Sequence, residues 1–447
     1  MKIAHLVAAA LLAGCSADQD VDSGDTGGGA TTPPTNVPVQ PGILETVVPA
    51  DGSVEIGVLE TVTMTWSADI TNLAGAEGRL DWARGHNEEP TAGIVIRGSL
   101  SPDGPTVTFT PERPLDVDTT YTFTLTGAQT AAGPVDDVSV TFRSVLNPLE
   151  RRFDYEDATT PRQLVVYRFA ADGTDEGNDV FSGPGDNQTW GDADDVQQSL
   201  TVFAQSEEGH WTRSESFAAP GVDALWGTDD DVLDQHRLRR FEDGRNTLLD
   251  SFDAVGTDGE PFTGDEPFAF REARSFDERG LHVASFQPRS AGPDAQWFTG
   301  DDDVSSWWDR QFDDDGRRTR LVRYGAPGVD GLWRTDDDSV LSYVDYAYDA
   351  SGQLETESSF VGPGVDGLWF EGNDDELSTV ITHVYDSRGQ VTTQTSRDPN
   401  DRVTALVEFT YDAGGNRVSE LHYAAGDDGM FGTSDDYVSV EFVYTNL

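Results

Sequence analysis

Aromatic residues recur through most of this chain with a step close to 36. Trp190, Trp226, Phe262, Trp297, Trp333 and Trp369 are separated by 36, 36, 35, 36 and 36 residues, and Phe431 follows after 62. A second series keeps the same step: Phe241, Phe276, Phe312, Tyr348 and Tyr385 each precede an acid and a nearby glycine, at spacings of 35, 36, 36 and 37, whereas Tyr411 comes only 26 later. A fixed period of this size marks a supersecondary unit that buries its apolar surface only by stacking on its neighbours.

The unit reads as strand, tight turn, strand and long acidic loop. Leu377 to Tyr385 alternates around β-branched residues, Asp386-Ser387-Arg388-Gly389 supplies a turn, and Gln390 to Thr395 alternates again. Alternation on both sides of a glycine-containing turn is a hairpin. The loop Pro220-Gly221-Val222-Asp223-Ala224-Leu225-Trp226-Gly227-Thr228-Asp229-Asp230-Asp231 returns as Pro327 to Asp338, with variants starting at Pro363, Gly292 and Gly426. Between Tyr385 and Tyr411 it is missing, and Arg397 to Asp401 closes the connection. Strands therefore pair without the loop, which reads as an insertion along one edge of an antiparallel array spanning 146–447.

The segment 44–145 has a different texture. Val62 to Trp66, Ile94 to Ile96, Val107 to Thr110, Tyr121 to Leu125 and Val138 to Phe142 are period-two runs separated by Gly, Pro and Asp. They predict the half-buried strands of a sandwich of about 100 residues, so the fold class is all-β: an immunoglobulin-like sandwich followed by a β-hairpin repeat array. Tyr121 reads as a core or corner tyrosine. Before the sandwich, Lys2 and an apolar stretch from Ile3 to Ala13 lead to Leu12-Ala13-Gly14-Cys15-Ser16. That stretch is too short to span a bilayer and reads as a cleaved signal over 1–14. Residues 15–43 hold almost nothing to bury, including Thr31-Thr32-Pro33-Pro34, and read as a disordered tether.

Three resemblances follow from these residues. The amino end resembles a bacterial lipoprotein signal, which implies acylation of Cys15 and attachment to the cell envelope, with the outer membrane or cell surface as the expected place. Pro49-Ala50-Asp51-Gly52-Ser53, Phe109-Thr110-Pro111, Leu115, Thr119 to Thr122 and Phe142 resemble the bacterial immunoglobulin-like domain of surface-layer proteins, implying a spacer or adhesion module without catalytic residues. The turns Tyr348-Asp349-Ala350-Ser351-Gly352, Tyr385 to Gly389 and Tyr411 to Val418 resemble the tyrosine-aspartate repeats of Rhs-type and teneurin-type proteins. That family implies a closed, cocoon-like shell. The usual family unit lacks the long loop, and no toxin cargo is expected after the final strand.

Charge concentrates in the repeats. The chain has 82 acidic and 29 basic side chains, and residues 145–447 hold 63 of the acids against 23 arginines. An acidic balance of this size excludes a nucleic-acid partner. Neighbouring aspartates repel by about 1 kcal/mol per pair at 4 Å even in water, so the loops need something that offsets their charge. One reading is Ca²⁺ held by hard oxygen ligands: Asp223 with Asp229, Asp230 and Asp231, Asp330 with Asp336, Asp337 and Asp338, Asp366 with Asp374 and Asp375, and Asp428 with Asp435 and Asp436. The spacing is neither that of an EF-hand nor that of the nonapeptide calcium repeat. A second reading makes Asp and Gly turn formers with solvated charge. A third is salt adaptation, since Lys2 is the sole lysine. Trp190, Trp226, Trp297, Trp333, Trp369 and Phe431 read as packing anchors, with a carbohydrate-stacking ladder as the alternative.

No nucleophile elbow, zincin motif, phosphate-cradling glycine loop or cysteine nucleophile is present, and the histidines fall at different phases of the repeat. The expectation is a non-enzymatic, lipid-anchored envelope protein that contacts carbohydrate or protein at the cell surface. A carbohydrate-active enzyme or a remnant of an Rhs-type toxin shell is the alternative. An open array would leave strand edges able to pair with another copy, and association near the sequence pI of about 4.1 follows from that case.

Overall fold

The computed structural model describes residues 42–444 apart from 85–94, 117–118, 145–148, 157–159, 171–174, 192–193, 207–210, 243–244, 259, 265, 295, 300, 334, 336, 372–373, 427–428 and 432. The signal over 1–14, Cys15, nearly all of the tether, Asp336 and Asp428 lie outside the described residues. Everything described is all-β, in two parts: strands from Leu44–Val48 to Val138–Ser144, then strands from Leu149–Tyr155 to Tyr437–Tyr444.

The first part is built by alternation. In Thr120–Thr126 the side chains of Tyr121, Phe123 and Leu125 are buried and the threonines between them are half-exposed. Val62–Trp66 and Val138–Ser144 repeat the pattern, so facing strands deliver Met64, Trp66, Phe109, Phe123 and Phe142 to one core. Tyr121 is fully buried and ends in a corner: its hydroxyl donates to Asp116 Oδ2 at 3.3 Å and accepts the Asp116 amide at 2.9 Å. Ser53–Ile56 lies parallel on Val138–Ser144, and the other main strands pair antiparallel.

The second part is a closed barrel of 18 antiparallel strands. Each strand pairs with the next in sequence, and the last returns to the first through Arg152↔Phe442 and Asp154↔Val440. Among the described residues the repeat domain leaves no strand edge unpaired, unlike the open array whose edges could pair with another copy. A register shift recurs where strands approach the long loops, between Ser216 and Ala219, Gln287 and Ser290, Arg323 and Ala326, and Ser359 and Gly362. A bulge bends its strand and increases local twist, and its repetition in successive units curls the sheet onto itself.

In an up-and-down barrel alternate connections fall on opposite rims. One rim carries tight turns such as 313–317, 349–353, 386–390 and 412–416. The other carries seven long loops, 184–195, 220–231, 253–267, 291–302, 327–338, 363–375 and 425–436, with short links at 156–160 and 398–402. The turns are alike: the amide of Asp386 donates to the Gln390 carbonyl, and Asp386 Oδ1 accepts the amides of Arg388 and Gln390. Tyrosines tie one hairpin to another at this rim. The Tyr348, Tyr385 and Tyr411 hydroxyls donate to the carbonyls of Arg318, Leu354 and Val391 at 2.9, 2.7 and 2.8 Å. Burial pushes Tyr348 and Tyr385 up to about 12. Phe241, Phe276 and Phe312 have no hydroxyl to give, a physical counterpart of the weaker repeat motif in the earlier units.

The sandwich rests on the turn rim. Arg97 pairs with Asp315 at 3.3 Å and Arg113 Nη1 donates to the Gly352 carbonyl at 3.0 Å. Pro114 lies over Gly389 and Leu59 over Gly415, where an added Cβ would collide with them.

Candidate functional site

The loop rim is the surface that the sandwich leaves clear, and its geometry is set by short-range hydrogen bonds. In loop 327–338, Asp330 Oδ1 accepts the Leu332 amide at 2.8 Å, making a tight turn. Asp337 reaches back across the loop: Oδ2 accepts the amides of Val329 and Asp330 at 2.6 and 3.2 Å, and Oδ1 accepts the Thr335 hydroxyl at 2.8 Å. Asp338 is buried and accepts the amides of Gly328 and Thr335, both at 3.3 Å. Gly328 lies so close to Asp337 that any Cβ would collide with its carboxylate. The repeated glycine and the repeated acid pair are thus one device.

The same device recurs in the other loops. Asp230 accepts the amides of Val222 and Asp223, Asp231 those of Gly221 and Gly227, and Asp223 that of Leu225. Asp229 is exposed. Asp374 accepts the amides of Val365 and Asp366, and Asp366 that of Leu368. Asp375 is buried, accepting the Phe370 amide at 2.9 Å and the Tyr343 hydroxyl at 2.6 Å. In the last loop Asp435 accepts the Thr433 hydroxyl and Asp436 the Thr433 amide. Hydrogen bonds to the ionised form, led by the Thr228, Thr299 and Thr335 hydroxyls, hold Asp230, Asp301 and Asp337 below the usual carboxylate range. Much of the loop charge is therefore engaged by the loops' own amides.

Among the described residues one group of three carboxylates converges: Asp294, Asp301 and Asp302, whose oxygens lie within 4.8 Å of one another. These three are not among the metal candidates of the sequence reading, although Gly292 opens one of the loop variants named there.

Several loop aromatics pack against the strands and one another. Trp333 is buried with Phe286 and Val304 against Phe298, Trp307 and Tyr324. Trp297 meets Phe268 edge-on at 5.5 Å, and Trp369 meets Tyr343 at 5.9 Å. Trp190, Trp226 and Phe431 are half-buried. Every described loop tryptophan is buried or half-buried. Phe262 belongs one place later in the unit than its spacing suggested: with φ of 64° it shares the left-handed conformation of Gly191, Gly227, Phe298 and Phe370.

Three arginines of the strands escaped sequence reading. Arg213, Arg271 and Arg320 place their guanidinium carbons 4.9, 5.2 and 4.7 Å from the rings of Phe262, Phe298 and Phe370. Arg320 also pairs with Asp345 at 2.8 Å, and Arg271 with buried Asp250 at 2.7 Å. The available signal was slight: Arg213 and Arg320 stand about three repeat periods apart.

Residues 38–144 match the bacterial Ig-like domain family and residues 377–428 the RHS repeat family. No curated relative matches the sequence. Three solved structures are similar at low level. A Tc holotoxin pore from Photorhabdus luminescens is 10% identical, with 76% of this chain covering 20% of that one at a TM-score of 0.25. A porin-like protein from Bacteroides uniformis is 11% identical, with 67% and 97% covered at 0.28. The N-terminal part of the bacterial S-layer protein SbsC is 13% identical, with 42% of each chain covered at 0.16. The chain thus spans about a fifth of the toxin chain it matches, and the fold itself rests on the strand pairing described above. Within this all-β chain, a bacterial Ig-like domain is followed by repeats of the RHS type.

Proposed function

We propose that the protein is a non-enzymatic module of the cell envelope, held by a lipid on Cys15 and a tether over 15–43, which presents the loop rim of an aqueous barrel to carbohydrate or protein at the cell surface. The observation that carries this reading is the polarity of the barrel. All seven long loops leave from one rim, while the sandwich rests on the other.

The strands support an aqueous barrel over a membrane-spanning one. Asp345 stands opposite both Ser358 and Arg320 and shares their face of the sheet, whereas Glu357, the neighbour of Ser358 in the chain, lies on the other face. Glu408 and Glu420 divide in the same way, because Glu420 pairs with Phe409, the residue next to Glu408. Charge on both faces leaves neither suited to lipid, where an arginine at mid-bilayer costs about 2–4 kcal/mol.

The test is a comparison of the full chain with Cys15→Ser in a bacterial host. Metabolic palmitate labelling and protease treatment of intact cells should find the parent chain acylated, membrane-bound and cleaved from outside, and the variant unlabelled and released. An unlabelled parent chain, or one protected inside the cell, refutes the reading.

Calcium is a second reading, favoured by the Asp294, Asp301 and Asp302 group. Thermal melts in EDTA and in about 2 mM CaCl₂, matched for ionic strength, decide it. A rise in calcium that Asp301→Asn removes supports a site, and identical melts sink it.

A further inference from the structure

The loops whose carboxylates bond their own backbone amides also turn apolar residues outward. Val329 and Val365 are 101% and 97% exposed, and Leu332 and Leu368, three residues later in each loop, are about half exposed. The two loops flank one hairpin, since Ser339–Tyr348 pairs with Leu354–Gly362. Near the loop end of that hairpin stand Leu341 and Val361, also half exposed. One sector of the rim thus holds six large aliphatic side chains facing solvent. Repetition at corresponding loop positions separates this from the single exposed valine or leucine that any surface carries.

The surroundings define what fits. The seven loops contain 28 acidic residues and a single arginine, Arg334. Asp330 and Asp366 directly follow the two valines and are exposed, as is Glu371. A second copy of this rim would bring the same acids against each other, and an anionic lipid surface would be repelled. A neutral bilayer would have to take Asp330 and Asp366 to the depth of the valines beside them. A polypeptide with apolar side chains interspersed among basic ones meets neither obstacle: its aliphatic groups cover the valines and leucines while its cations face the carboxylates. We propose that this sector docks a cationic amphipathic polypeptide segment. The inference rests on the loop rim being the binding face of the protein and adds the chemistry of its partner.

The experiment titrates the full chain with two peptides of about five helical turns, one of leucine and lysine in an amphipathic pattern and one of equal charge made of serine and lysine, at about 0.15 M NaCl. The leucine–lysine peptide is expected to bind at least about tenfold more tightly, a difference that Val329→Ser with Val365→Ser removes and Val222→Ser, on a distant loop, leaves in place. Equal binding of the two peptides that is lost at about 1 M NaCl overturns the inference but keeps the rim as an electrostatic binding face. Binding of neither peptide overturns this inference, and the surface-protease test then judges the broader reading separately. Neutral phosphatidylcholine vesicles that bind through Val329 and Val365 overturn it in favour of a membrane. Self-association lost in the same double variant overturns it in favour of a second copy.

Discussion

Arg271 joins the barrel strands to the loop rim, and its removal tests how the rim is held. Its guanidinium donates to Asp250 through Nε at 2.7 Å and Nη2 at 3.2 Å, with the two side chains 8% and 1% exposed. The same group lies 3.9 Å from the Phe268 ring, 4.9 Å from Trp297 and 5.2 Å from Phe298, so it also seats loop 291–302. Arg271→Met keeps most of the volume and leaves Asp250 with Arg240 alone, at 3.4 Å and largely exposed. Removing one partner of a buried pair costs about 3–5 kcal/mol, and the remaining arginine puts the expected loss near the lower end, about 3 kcal/mol. With a urea slope of about 3 kcal/mol/M the midpoint should fall by about 1 M. Replacing both partners, Arg271→Met with Asp250→Leu, should recover stability to within about 1 kcal/mol of the parent, because no charge is then left buried alone. Hydrogen exchange should rise across 291–302 in the single variant and much less across 327–338. A loss under about 1 kcal/mol with unchanged exchange would refute the reasoning, since the pair would then be behaving as a hydrated surface pair.

Three further outcomes are expected. Tyr385→Phe, which deletes the hydroxyl bonded to the Leu354 carbonyl, should cost about 0.5–1.5 kcal/mol in urea unfolding; an unchanged midpoint would show that the tyrosine ladder adds nothing to the barrel. The carboxylates of Asp230, Asp301 and Asp337 are depressed in the folded state, so their contribution is present above the ordinary value of 3.8 and is lost as pH falls through their folded values. Loops 220–231, 291–302 and 327–338 should then become protease-sensitive as pH falls below about 4 and before the sandwich does, a sequence that limited proteolysis at each pH would reveal or contradict. His236 is fully buried, stacked on Phe252 at 4.7 Å with Glu266 at 3.8 Å, and burial lowers its pKa against the opposing pull of Glu266. The unfolded chain takes up the proton first, so stability should decline as pH drops below 6.5, and His236→Phe should flatten that part of the pH profile in denaturant titrations.

What was legible in the sequence shares one property, short range. The hairpins could be read because alternation and the Asp-x-x-Gly turn act within a few residues, and the turn of Asp386 closes on Gln390. The loop could be recognised as a unit for the same reason: Gly328, Asp330, Asp337 and Asp338 complete one another's hydrogen bonds across ten residues. Composition located the charge in the repeats, and of the periodic aromatics Trp333 lies buried.

Closure, orientation and partnership were decided only in three dimensions. The barrel is sealed by Arg152 meeting Phe442, residues with no local relation, brought together by twist and bulges accumulated over 18 strands. Whether the acids face outward or inward could not be read from Asp-Asp-Asp, since a carboxylate serves a backbone amide and a solvent shell equally well in sequence. The fold assigns Asp338 and Asp375 to the interior and leaves Val329 and Val365 outside. The repeat thus determined the hairpin and its loop by local chemistry, whereas the ring that sets seven loops on one rim and seats the sandwich on the other comes from contacts between distant segments, which only the folded chain brings within reach.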